Sequence, residues 1–202
     1  MFSHDAEVGV KCMLNRGCLS SHACTAGYIR TLQGFSYLSL ITDAYSRRVV
    51  GYALFETLEA IGPLEALVMA VKGRIGLSPF ILIHHSDRGV QYCSAEYVKI
   101  LVESNIAISM TQSGSPYDNA LAERVNGTIK NDFFPKRVYQ NHKEAIKAVS
   151  KIIQIYNQKR PHASIDYLTP DQAHVKQGDL KKRWKNYSKH LKQKEGTMQV
   201  VE

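Results

Sequence analysis

The sequence predicts an α/β domain: a five-stranded mixed sheet flanked by helices, followed by a basic C-terminal tail. Three observations predict it. Three apolar-rich β segments open the patterned part of the chain, strand and helix patterns then alternate, and the apolar periodicity stops after Pro170. The 202 residues, 44% apolar and 22% charged, suit one globular unit with a sizeable core. That composition excludes collagen-like, mucin-like and wholly disordered chains.

The elements follow in order. Residues 1–24 show neither helical nor strand periodicity and read as irregular. YIRT and FSYLSLITD then read as two strands around a turn at Gln33-Gly34, and RRVVGYALF as a third after the turn at residues 43–46. IGPLEALVMAVKGR carries Pro63 in a first helical turn, Leu64, Leu67, Val68 and Val71 at helical spacing, and Gly73 as a stop. PFILIHHSD is a short apolar run of the kind buried on both faces of a sheet. Ser94 can cap the helix AEYVKILVESN, and IAISMT returns as a strand, so parallel crossovers are expected. SGSPYDN is turn chemistry, and ALAERVNGTIKNDFF is helical despite Gly127. Asn141 with Glu144 resembles a capping box, opening a helix whose stripe is Ala145, Val149, Ile152, Ile153 and Tyr156.

Charge points to a polyanionic partner. The chain holds 26 Lys and Arg against 18 Asp and Glu, a net of +8, which favours nucleic acid ahead of a membrane surface. The excess is located: residues 119–202 contain 17 basic and 8 acidic side chains, a net of +9. Residues 176–194 hold eight Lys or Arg against one acid, with Trp184 and Tyr187 among them. With no run of 18 apolar residues and no charged or apolar leader at its start, the chain reads as soluble, with no membrane partner, and as cytoplasmic and nucleoid-associated. Cys12, Cys18 and Cys24, with His4 and His22 nearby, lack the tight pairing of structural zinc sites and read as incidental thiols.

Two carboxylates carry the candidate chemistry. Asp87 closes FILIHHSD before Arg88-Gly89, where a central parallel strand meets its loop and ligand sites cluster. A turn or capping Asp would look the same. Glu123 falls on a helical stripe with Asn119, Asn126 and Lys130, opposite Leu121, Val125 and Ile129. That stripe suits either a solvated face or a phosphodiester.

Asp87 and Glu123 are separated by 35 residues, and Lys130 follows Glu123 by seven. This spacing resembles the DDE transposases and retroviral-type integrases. HHSDRGVQYCS, GSPYDNALAERVNGTIKND and YNQKRPHASIDYLTP resemble consecutive signatures of bacterial insertion-sequence transposases, over about residues 28–173. The resemblance implies an RNase H-like fold and DNA strand cleavage and transfer with two Mg²⁺ or Mn²⁺ ions, which activate a water or 3′-hydroxyl and stabilise the leaving oxygen. It implies Asp87 and Glu123 as catalytic metal ligands. Lys130, Asn119, Asn126, Arg124, Arg160 and His162 are the implied DNA-binding residues, and the implied partners are DNA together with further copies of this chain or an intact transposase.

The first acid of the family is missing. Its Asp stands in an Asp-Ile-Thr-Tyr motif; aligning Tyr28-Ile29-Arg30-Thr31 with that motif places Thr25 in the Asp position. Asp43 is a candidate replacement. With a two-residue Gln33-Gly34 loop, however, Asp43 faces Cys24 and Thr42 faces Thr25, so Asp43 points away from position 25 and more simply orders the turn before Ser46. The expected organisation is a family-unlike segment 1–24, a core 25–173 and a basic tail 174–202. Loss of resemblance near Gly27 reads as N-terminal truncation or degeneration, and the activity as impaired. The alternative is a non-catalytic DNA-binding or assembly partner that inhibits an intact transposase.

Overall fold

The meander forms β1 (Ser20–Thr31), β2 (Gly34–Asp43) and β3 (Val49–Phe55) in the computed structural model, which describes residues 20–57, 59–74, 82–87, 89–110, 120–134 and 138–183. β1 starts within the segment read as irregular. Its polar, small-residue sequence SSHACTAG hides the strand, because pairing on both sides rather than side-chain pattern defines it. The hairpin loop is Leu32-Gln33, one residue earlier than expected. Gly34 takes φ +128°, and Thr31 closes the turn by donating its hydroxyl to the Gly34 carbonyl at 3.0 Å. The register therefore slips by two residues: Asp43 pairs with His22, and Thr25 with Leu40. A slip of two preserves the alternation of faces, so Asp43 stays out of phase with position 25.

Helix α1 (Ile61–Gly73) crosses to β4 (Leu82–Ser86), and α2 (Ala95–Glu103) to β5 (Ile106–Met110). Ser94 accepts from the Tyr97 amide, capping α2. The strand order is β3-β2-β1-β4-β5, antiparallel in the meander and parallel from β1 through β4 to β5. β4 alternates rather than being buried on both faces: Leu82, His84 and Ser86 are buried, while Ile83 and His85 are half-buried. The His84 Nε2 lies 2.9 Å from the Tyr97 hydroxyl, giving the buried ring a polar partner.

Helices cover both faces of the sheet. Ile41 packs with Leu67, Leu82, Tyr97 and Leu101 on the α1/α2 side. On the other side, Leu38 and Leu40 pack beneath α3 (Ala120–Thr128) and α4 (His142–Lys159), with Val125, Ile129, Val149 and Tyr156. α3 runs on into a π-helical turn, Ile129–Phe133, that helical spacing did not reveal. Asn141 caps α4 by accepting from the Glu144 amide at 2.9 Å, and the Glu144 carboxylate reaches back to the Gln140 amide instead of Asn141. Burying aliphatic side chains such as Val149 and Ile153 stabilises the fold by about 1.5–3 kcal/mol each.

The first ten residues of the expected tail belong to the body. α5 (Pro170–His174) opens with a Thr169/Gln172 capping box. Tyr45 donates to the Gly178 carbonyl at 2.7 Å, and Arg183 pairs with Asp166. Trp184, Tyr187 and residues 1–19 lie outside the described residues, as do Arg88, Asn119 and the SGSPYDN turn.

Candidate functional site: a carboxylate edge on the central strands

Parallel pairing aligns β1 with β4, and the last couple is Ala23 with His85. Two residues further along each strand stand position 25 on β1 and Asp87 at the mouth of β4. The pairing itself stops at that couple, so position 25 and Asp87 each lie two residues beyond the paired stretch.

Asp87 is exposed, and one of its oxygens, Oδ1, accepts the Gly89 amide at 2.9 Å. A Cβ at position 89 would stand 2.9 Å from that oxygen and 2.6 Å from Gln91 Nε2. A side chain at 89 would therefore displace the Gln91 and Asp87 ends, a contact that sequence reasoning missed although Asp-Arg-Gly carried the signal. His85 lies two residues before Asp87 on β4; its Nδ1 is 2.9 Å from the Ser109 hydroxyl on β5.

α3 brings the second carboxylate. Its apolar side, Ala122, Val125 and Ile129, is buried, while Glu123 and Arg124 are exposed. Asn126 rests on Gly27: a Cβ there would stand 3.0 Å from the Asn126 Oδ1. Lys130 Nζ sits 3.7 Å from the centre of the Tyr28 ring. Contacts at 126 with 27 and at 130 with 28 make helix and strand advance together. Glu123 stands on the same helix, three residues and about 4.5 Å before Asn126. Asn126 is half-buried, so this part of the polar stripe is seated on β1 while Glu123 stays exposed.

Asp43 is elsewhere. It is buried, accepts the Ser46 amide at 3.0 Å and the Ser46 hydroxyl, and lies 3.4 Å from His174 Nδ1. It orders the turn between β2 and β3 and ties it to α5. Burial, with the Asp43 charge adding, pushes the neighbouring Tyr45 phenol up.

Arg160 engages the π turn and His162 engages α4. Arg160 pairs with Asp132 of the π turn at 2.7 Å, and His162 meets Tyr156 edge to face at 5.3 Å. Burial, with the Arg160 and Arg47 charges adding, lowers the His162 pKa to about 4, so the ring is neutral near pH 7. Burial also raises the Tyr156 phenol.

Among the described residues, no three His, Cys, Asp or Glu side chains come together as a metal-holding group. Asp87 and Glu123 each offer hard oxygen donors of the kind that Mg²⁺ and Mn²⁺ take. No described helix is long and apolar enough to cross a membrane.

Residues 23–116 and 104–170 match the family described as the integrase core domain. The chain is 38% identical over 144 residues to an uncharacterized 31 kDa protein of insertion element IS600 from Shigella sonnei, covering 71% of this chain and 52% of that protein. It is 34% identical over 146 residues to the transposase InsF of insertion sequence IS3fB from Escherichia coli K12, covering 72% and 50%. The chain thus spans about half the length of these curated relatives. Among solved structures, it is similar to the HTLV-2 integrase catalytic core domain in complex with magnesium, with TM-score 0.58, 19% identity, and coverage of 80% of this chain and 100% of that one. The Mos1 mariner transposase catalytic domain gives TM-score 0.55 at 12% identity, covering 66% and 69%. These likenesses show the RNase H-like fold of integrase and transposase catalytic cores.

Proposed function

Because the chain belongs to the integrase-core family of bacterial insertion-sequence transposases, we propose that it binds DNA and carries the strand-cleaving and strand-joining core of transposition, impaired at Thr25. The observation that supports this reading is the parallel β1–β4 register, whose continuation two residues past the Ala23–His85 couple would bring position 25 level with Asp87.

Asp87 and Glu123 are the proposed ligands of Mg²⁺ or Mn²⁺, which when bound activates the attacking oxygen and stabilises the leaving one. Gly89 orients Asp87 by engaging one oxygen and leaves the other to the site. Lys130 and Arg124 supply positive charge for the phosphate backbone, and Asn126 seats the helix that presents Glu123. Arg160 holds Asp132, two residues after Lys130, so its proposed role is positioning of the π turn. His162, neutral and packed on Tyr156, supports the same corner.

Without a carboxylate at 25, nothing on β1 supplies the ligand that two ions would share. In an assay of 3′-end cleavage on an element-end duplex, we expect little or no product in Mg²⁺ or Mn²⁺. Robust cleavage abolished by Glu123→Gln would overturn the impairment.

The same substitution favours a second reading. A chain that keeps DNA affinity and subunit contacts while lacking a ligand would poison complexes of an intact relative. Co-expression should then lower transposition by that relative; an unchanged frequency would exclude it.

A further inference from the structure

Beyond position 25 the site continues into a corner of aromatic rings and cations. β4 pairs with β1 over residues 20–23, so the outer stretch of β1 extends past it as a ribbon with β2 that is bridged to Tyr139 at Thr31. On this ribbon Arg30 pairs directly with Phe35, and Tyr28 lies on the adjacent diagonal. The Tyr28 and Phe35 rings meet edge to face, with centroids 5.5 Å apart and planes at 87°.

Each ring carries a cation. Lys130 Nζ lies 3.7 Å from the Tyr28 centroid, and the Arg30 guanidinium carbon 5.7 Å from that of Phe35. Despite these contacts Tyr28 stays 49% exposed and Phe35 47%, and Leu32 at the hairpin tip is 68% exposed. Among the described residues, neither Arg30 nor Lys130 has a carboxylate partner. Two open rings in a right-angled corner, flanked by unneutralised cations, match a nucleotide in both its parts. A base has a face to stack, and its phosphate has a charge to place.

We propose that Tyr28 and Phe35 form a stacking platform for unpaired nucleotides of DNA, with Arg30 and Lys130 holding the adjoining phosphates. A blunt duplex keeps its bases stacked on one another and offers the rings little, so the platform selects frayed or single-stranded DNA next to the carboxylates. The ribbon extends past the end of the β4 pairing, and the continuous α3 and π-turn segment carries both Glu123 and Lys130. This inference rests on the reading that the chain takes DNA, and adds which part of the DNA it prefers.

The test measures fluorescence anisotropy of the full chain with a labelled blunt duplex and with the same duplex bearing an unpaired ten-nucleotide oligothymidine 3′ tail. The tailed duplex should bind about tenfold or more tightly, a range set by single-residue stacking effects. Tyr28→Ala and Phe35→Ala should each remove most of that preference while leaving blunt-duplex affinity and the melting temperature nearly unchanged. Tyr28→Phe and Phe35→Tyr should retain it. Equal affinity of the unmodified chain for both duplexes would overturn the platform and leave DNA binding standing. Failure to bind either duplex would overturn both. If Tyr28→Ala and Phe35→Ala instead change the sedimenting mass and leave the tail preference intact, the corner is an interface between copies and the proposal falls.

Discussion

Asn126 lies against Gly27 so closely that a Cβ there would stand 3.0 Å from its carboxamide oxygen. This contact seats α3, and hence Glu123, on the strand that carries position 25. Replacing Gly27 with Val must push Asn126 or the helix away. We expect a loss of about 1–3 kcal/mol, the usual range for overpacking, in urea denaturation. Gly27→Ala should cost less. Unchanged stability for Gly27→Val would mean that α3 is not seated there.

Asp43 and Asp87 separate structure from site. Asp43 is buried and accepts hydrogen bonds from the Ser46 amide and hydroxyl, so Asp43→Ala orphans both donors and should destabilise by about 1–3 kcal/mol. Asp87 is exposed, and its neutral analogue Asp87→Asn should change stability by less than about 0.5 kcal/mol. The reverse pattern in thermal melts would assign Asp43 to the site.

His162 sets a pH dependence with a definite sign. Its folded pKa, about 4, lies below the unfolded value of 6.5, so between these values the unfolded chain binds more protons. Stability supplied by the neutral ring is full above about pH 6.5, falls as pH drops toward 4, and stays lost below. The part attributable to His162 is about 1–3 kcal/mol, discounted for its partial exposure. His162→Phe keeps a ring against Tyr156 and should flatten the curve over that window. Identical slopes for both chains would refute the assignment.

The basic tail is tested by salt. Residues up to 183 are tied to the body through Gly178 and Arg183, so removal should start at 184. Residues 184–202 carry Lys185, Lys189, Lys192 and Lys194. If these reach phosphates, the slope of log affinity against log salt should fall by up to about four units on deletion. An unchanged slope would remove the tail from the DNA interface.

Much of this organisation was legible in the sequence, for reasons visible at particular residues. The strands of the meander, Ser94 capping α2 and the α4 stripe all follow from local periodicity and capping chemistry, which depend on neighbours in the chain. The start of β1 was not legible, because SSHACTAG owes its strand to partners on β2 eleven or more residues away and on β4 about sixty away. The hairpin register slipped because the Thr31 hydroxyl and Gly34 close the loop one residue earlier than composition suggests. The family was legible through the 35-residue spacing and the three motifs, which the integrase-core match bears out. The Asn126–Gly27 seat, the Asp87–Gly89 contact and the Tyr28–Phe35 corner were not, since each depends on packing between elements. The Arg160–Asp132 pair was not legible either, since it joins residues 28 positions apart.

The central claim is that Thr25 stands where the shared metal ligand belongs. The most direct measurement is a Mn²⁺ titration, followed by electron paramagnetic resonance, of the unmodified chain and of Thr25→Asp. The account predicts that the unmodified chain binds at most one ion weakly, and that Thr25→Asp gains Mn²⁺ occupancy, lost again when Asp87→Asn or Glu123→Gln is added. Equal Mn²⁺ occupancy and affinity for the two chains would contradict it.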